Sequence, residues 1–141
     1  MLRLILCALI VLQAPSAQLQ QRIRVWIAES VVDDAPGSWP RRLMKERGLL
    51  LLHGNQAFLW YLSPEGQVFV LDTDRFGHRM ESETNLPAAL NAVAQAARQR
   101  PELAEMLPAR PEGAVDCHHC HGSGVEDQWG SCSCAGLGWT L

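Results

Sequence analysis

Four of the five cysteines lie near the end of the chain, in CHHCHGSG (117–124) and SCSCAGLG (131–138). Two thiols three positions apart can both turn onto one metal ion when the loop between them is tight. Glycines just after them let backbone N–H groups approach the sulfurs. At an offset of fourteen residues Cys120 falls on Cys134, Gly122 on Gly136 and Gly124 on Gly138, but Cys117 falls on Ser131. A tetrahedral structural site needs four N or S ligands. Three arrangements are open. In the first, which we expect, Cys117, Cys120, Cys132 and Cys134 hold one structural Zn²⁺, with C-x-C replacing C-x-x-C. In the second, His121 or His118 joins Cys117, Cys120 and Cys134, and Cys132 is free. In the third there is no metal and the cysteines pair as disulfides, for which three pairings exist. A Cys₂His₂ finger is excluded, because no H-x₃₋₅-H follows the cysteines. A CCHC knuckle is excluded because Val125 occupies the histidine position. His118 and His119 are expected to face solvent, and Trp129 and Trp139 to cover the site as an apolar lid.

The motif C-x-x-C-x-G-x-G (117–124) resembles the repeat of the DnaJ-type cysteine-rich zinc-binding domain. The resemblance covers residues 117–138, one full copy and one altered copy, and implies a structural zinc held between copies. Nothing in the chain looks like a J domain. The competing chemistry is redox. Cys117-His118-His119-Cys120 is a C-x-x-C in which a nearby His⁺ would favour the thiolate. Thioredoxin-like motifs, however, open a helix, and Gly122 and Gly124 disfavour one.

Other chemistry is thinly represented. Asp72, Asp74 and His78 in LDTDRFGH could hold Mg²⁺ or act as an acid–base cluster. Aspartates at a strand end beside Gly77 more simply make turns. No G-x-S-x-G elbow, P-loop or dinucleotide fingerprint occurs. The formal net charge is −3 and Lys45 is the single lysine, so the basic footprint of a nucleic-acid binder is missing.

The start, MLRLILCALIVLQAPSAQ, has one early arginine, an apolar run from Leu4 to Leu12 and then small residues. This describes a signal peptide over residues 1–16, cut after Ser16, and an exported chain, periplasmic or secreted. The alternative is the buried first helix of a cytoplasmic domain. The apolar run is too short for a membrane span, which needs about 20 residues. Cleavage would remove Cys7 and leave only the four tail cysteines. An oxidising compartment favours pairing them, whereas a reducing one favours metal.

The elements that must carry the tail are an α+β domain over 19–107. Leu19, Ile23, Trp26, Ile27 and Val31 recur at helical spacing. Asp33 to Gly37 end that helix, and PRRLMKER makes a second one that Gly48 closes. LLLLH (49–53), AFLWYL (57–62) and QVFVLD (67–72) read as about three antiparallel strands, with Ser63 to Gly66 a type I turn. The stretch 72–85 is polar and turn-rich. Thr84 or Asn85 caps a further helix with Leu86, Leu90, Val93 and Ala97 on its buried side. PELAEML adds one or two turns, with Leu103, Met106 and Leu107 apolar. WPRRLMKERGLLLL and AFLWYLSPEGQVFVLDTD, with an acidic loop leading into a helix, resemble the SMI1/KNR4-like (SUKH) domains. That likeness implies an α+β binding module, many such modules being immunity proteins against toxins. Residues 108–116, rich in Pro and Gly, form a linker, and 117–141 a zinc-ribbon-like tail that needs a metal or disulfide staple. Together these features predict a non-catalytic protein-binding module with a structural zinc. The alternative is an exported thiol–disulfide or disulfide-clipped protein.

Overall fold

A computed structural model describes residues 11–74, 79–124, 132 and 134–141. These fall into two compact units, one of residues 14–83 and one of residues 84–141 with 11–13. The fold is α+β: helices, a four-stranded antiparallel sheet, and a C-terminal cluster of four cysteines.

In the first unit, helix α1 spans Ala17–Glu29. Ser16 caps it, its hydroxyl accepting the Leu19 N–H at 3.2 Å. The apolar spacing buries Leu19, Ile23, Trp26 and Ile27. Val31 does not join them. The helix ends at Glu29, Ser30 turns extended, and Val31 is 72% exposed. Helix α2, Trp39–Arg47, carries Pro40 in its first turn. It closes on Gly48 at φ 65°, with the Leu49 N–H reaching the Met44 carbonyl at 3.0 Å. That is a Schellman end, which requires a left-handed residue at that position.

Strands β1 (Leu50–Gly54), β2 (Phe58–Leu62), β3 (Val68–Asp72) and β4 (Met80–Ser82) form a meander in chain order. The sheet therefore has four strands rather than about three. The fourth arises in the polar stretch after Asp72. It is a short edge strand whose Glu81 and Ser82 face solvent, so no apolar alternation marks it. Between β2 and β3, the Gly66 N–H meets the Ser63 carbonyl and the Ser63 N–H meets the Gln67 carbonyl, both at 2.9 Å. Pro64, Glu65 and Gly66 thus make a three-residue hairpin loop with glycine at its positive-φ position. Leu52 is the extra residue of a bulge, since Leu51 pairs with Tyr61 and His53 with Trp60. α1 and α2 both lie against β1. Tyr61, Leu62 and Leu71 are fully buried. The Tyr61 hydroxyl donates to the Pro40 carbonyl at 3.1 Å, and burial raises its pKa above the usual phenol range.

The second unit is built on helix α3, Leu86–Ala97, capped by the Asn85 side chain, which accepts from the Ala88 N–H. A 3₁₀ helix, Pro101–Met106, follows and packs on α3 through buried Leu103 and Met106. The expected buried side of α3 needs revision. Leu90 and Val93 are buried, but Leu86 is 40% exposed, while Ala89, Asn91, Ala92, Ala94 and Ala96 are buried too. The helix is covered on more than one face, and the tail covers part of it. Strands β5 (Val115–Asp116) and β6 (Trp139–Thr140) pair antiparallel and close the tail on itself. Among the described residues no helix is long and apolar enough to cross a membrane.

His53 stacks on Trp60, with ring centroids 5.7 Å apart, and burial lowers its pKa from the usual 6.5. Below that value the unfolded chain binds the proton more readily than the folded one, so this histidine costs stability as pH falls through about 6.5. Denaturant unfolding at about pH 7.5 and about pH 5.5 is expected to show His53→Phe losing less stability on acidification than the parent chain. Equal losses would contradict this assignment.

Candidate metal centre

The two cysteine segments fold into matching loops. After Cys120, His121 sits at φ 54°, Gly122 at 82° and Gly124 at 73°. After Cys134, Ala135 sits at 57°, Gly136 at 79° and Gly138 at 84°. The Ser123 N–H bonds the Cys120 carbonyl at 3.1 Å, and the Leu137 N–H bonds the Cys134 carbonyl at 3.2 Å. Each loop then turns its last glycine N–H onto a sulfur, Gly124 to Cys120 Sγ at 3.2 Å and Gly138 to Cys134 Sγ at 3.3 Å. The fourteen-residue offset in the sequence is therefore a repeat of backbone geometry.

The glycines are required where the loops meet. A Cβ on Gly138 would lie 2.5 Å from the Gly122 carbonyl oxygen, and one on Gly124 would run into the Gly136 carbonyl oxygen. The contact is reciprocal, each loop presenting a carbonyl to the other loop's last glycine. Backbone pairing holds the halves together from outside. The Cys117 N–H donates to the Gly138 carbonyl at 2.9 Å, next to the β5–β6 pair. Arg110 braces the same edge, bonding Asp116 at 2.8 Å and the Ala114 carbonyl at 3.2 Å.

This framework brings the four sulfurs of Cys117, Cys120, Cys132 and Cys134 within 4.8 Å of one another. All four residues are buried, between 1% and 6% exposed. Cys117 and Cys132 sulfurs are 3.4 Å apart and those of Cys120 and Cys134 are 3.7 Å apart. A tetrahedral zinc thiolate, with Zn–S of about 2.3 Å, has S–S edges of about 3.8 Å. The cluster therefore has the size and donor set to hold one such ion. Cys132 supplies the fourth sulfur of the cluster. His118, His119 and His121 are exposed, and the described cluster contains cysteines only. Trp139 is buried on β6, whereas Trp129 lies outside the described residues. Of the Asp72–Asp74–His78 set, Asp72 accepts the Asp74 N–H at 2.9 Å in a local turn, and His78 lies outside the described residues.

The thiols differ in acidity. The Cys120 backbone N–H draws the Cys117 pKa down to about 6 against the effect of burial, and the Cys132 thiol adds to the fall. Burial pushes Cys134 up to about 12 and raises Cys132, with neighbouring thiols adding to both. Without a cation Cys117 thus ionises more readily than Cys132 or Cys134. A divalent ion overrides this, because coordination displaces the protons.

Sequence reasoning missed the surface beneath the loops. On α3, Gln95 Nε2 donates to the Gly124 carbonyl at 2.9 Å, Arg98 donates to the Ser123 carbonyl, and Gly136 sits against Asn91 and Ala94. The signal was present as polar residues at i, i+4 and i+7 within an alanine-rich helix.

Gly138→Ala is expected to lower metal affinity by about tenfold or more, since the left-handed conformation alone costs a residue with a Cβ about 1–2 kcal/mol. His119→Ala, at an exposed position between the paired cysteines, should leave affinity unchanged. Competition with a chromophoric chelator measures both. Comparison with family models, curated proteins and solved structures finds no match to this chain.

Proposed function

We propose that the tail is a structural zinc site, with Cys117, Cys120, Cys132 and Cys134 as its ligands, in a non-catalytic protein-binding module. The observation that carries this reading is the cluster itself. Four buried sulfurs lie within 4.8 Å of one another, and two of them accept N–H groups from matched glycine loops. Such N–H···S bonds favour thiolates, which a zinc ion needs. Burial also weighs against the redox alternative. A dithiol that exchanges electrons with other proteins needs an accessible thiolate, and these sulfurs are covered. A protein is the assigned partner class, because the charge balance offers no nucleic-acid footprint and Trp39 and Phe58 are both more than a third exposed. The likeness to the SUKH modules agrees with that class. Zinc would serve the second unit as the staple that its short, glycine-rich tail requires.

Elemental analysis of the native protein, with a thiol count in denaturant, tests the site. The expected result is one zinc and four tail thiols per chain. Cys132→Ser should weaken binding far more than His121→Ala, and affinity should fall with pH as protons compete for sulfur. Absence of metal with two disulfides would replace this reading by the disulfide-clipped one.

We also propose that the chain is exported, on the strength of its basic start, apolar run and small residues before Ala17. N-terminal sequencing of the chain from an exporting host should begin at Ala17. A chain recovered with residues 1–16 attached, in the cytoplasmic fraction, would refute export.

A further inference from the structure

Asn91 and Gln95 of α3 and Arg98 at its C-cap form one stripe, and this stripe grips both loops of the cysteine cluster. Gln95 Nε2 bonds the Gly124 carbonyl at 2.9 Å and the Asn91 side-chain oxygen at 3.1 Å. Asn91 in turn is buried against Gly136 in the second loop. Arg98 bonds the Ser123 carbonyl, and its guanidinium lies 3.1 Å from the point where Gly124 would carry a Cβ. Gly124 is the residue whose N–H faces Cys120 Sγ. One peptide group, Ser123–Gly124, therefore separates Arg98 from a ligand sulfur, and Gln95 holds the carbonyl that follows it.

The placement also answers a charge problem. Four thiolates around a divalent ion leave two negative charges in surplus. A cation held at the Ser123 carbonyl, beside Gly124, stabilises that surplus, and outer partners of this kind commonly set a large part of metal affinity. We propose that Gln95 and Arg98 are positioning residues of the metal centre. Arg98 holds the carbonyl of the Ser123–Gly124 peptide, whose N–H lies on Cys120 Sγ, and brings positive charge to that loop, while Gln95 anchors the next carbonyl, that of Gly124. This inference rests on the zinc reading above.

The test uses the full chain with its thiols reduced. Zn²⁺ affinity is measured by chelator competition at about 0.05 M and about 1 M salt, and bound Co²⁺ reports the ligand set by its absorption. Gln95→Ala and Arg98→Met are each expected to lower Zn²⁺ affinity by about 10–100-fold while the cobalt spectrum stays that of four thiolates. Arg98→Lys should recover most of the arginine loss. The Arg98→Met deficit should shrink at the higher salt, where the screening length is about 3 Å. Wild-type affinity in both Gln95→Ala and Arg98→Met would overturn the proposal. An Arg98→Met deficit that ignores salt and resists rescue by lysine would overturn the charge role. If Arg98→Met fails to fold, Gln95→Ala and Arg98→Lys decide: a loss in the first with retention in the second supports the proposal, and the reverse overturns it. A parent chain that gives no four-thiolate cobalt spectrum overturns the zinc reading itself, and this inference with it.

Discussion

Four sulfurs can share so small a space only if the backbone that carries them meets itself without side chains between. In this chain that condition falls on Gly124 and Gly138, each lying against a carbonyl of the opposite loop. The rest of the second unit follows from that contact. It sets the loops face to face and aims two N–H groups at two sulfurs. It also leaves the outer edges of the tail to pair as β5 and β6. A side chain larger than hydrogen at either glycine would separate the loops before any question of ligand chemistry arose.

The first unit is held by different means. Its stability comes from burying Ile23, Tyr61, Leu62 and Leu71, and from ends that leave few backbone groups unpaired. Gly48 closes α2, and Ser63 and Gly66 close the hairpin. Such a unit has a core that needs no staple. The second unit has α3 and its 3₁₀ partner for a core, and then a tail with little aliphatic content. The division of labour between hydrophobic burial and thiol chemistry is thus written along the chain.

Much of this was legible in the residues. Apolar spacing located α1, Pro40 and Gly48 bounded α2, and Pro64 to Gly66 marked the hairpin. The recurrence of Cys-x-Gly-x-Gly revealed the paired loops, and the displaced Cys132 was the expected fourth sulfur. What stayed hidden has a physical cause in each case. β4 is an edge strand, whose solvated side chains carry no periodic signal. Val31 continues the helical spacing of α1, but periodicity does not register where the backbone stops. The underside of α3 was obscured because alanine serves equally as solvent filler and as a close-packing surface. Only its stripe of Asn91, Gln95 and Arg98 distinguished the two, and that stripe acquires meaning only when a second segment brings carbonyls to it.

The burial of the sulfurs has a kinetic side. Each of the four cysteines is no more than 6% exposed, and the Cys117 N–H pairs Gly138 beside the β5–β6 ladder, so among the described residues an ion held by the sulfurs would be shielded from chelators and competing thiols. Exchange of such an ion would then wait for the ladder to open and the loops to part. The residence time of an ion there is then set by the frequency of that local opening rather than by bond strength alone. A tail built this way would act as a latch on any ion that the four sulfurs held.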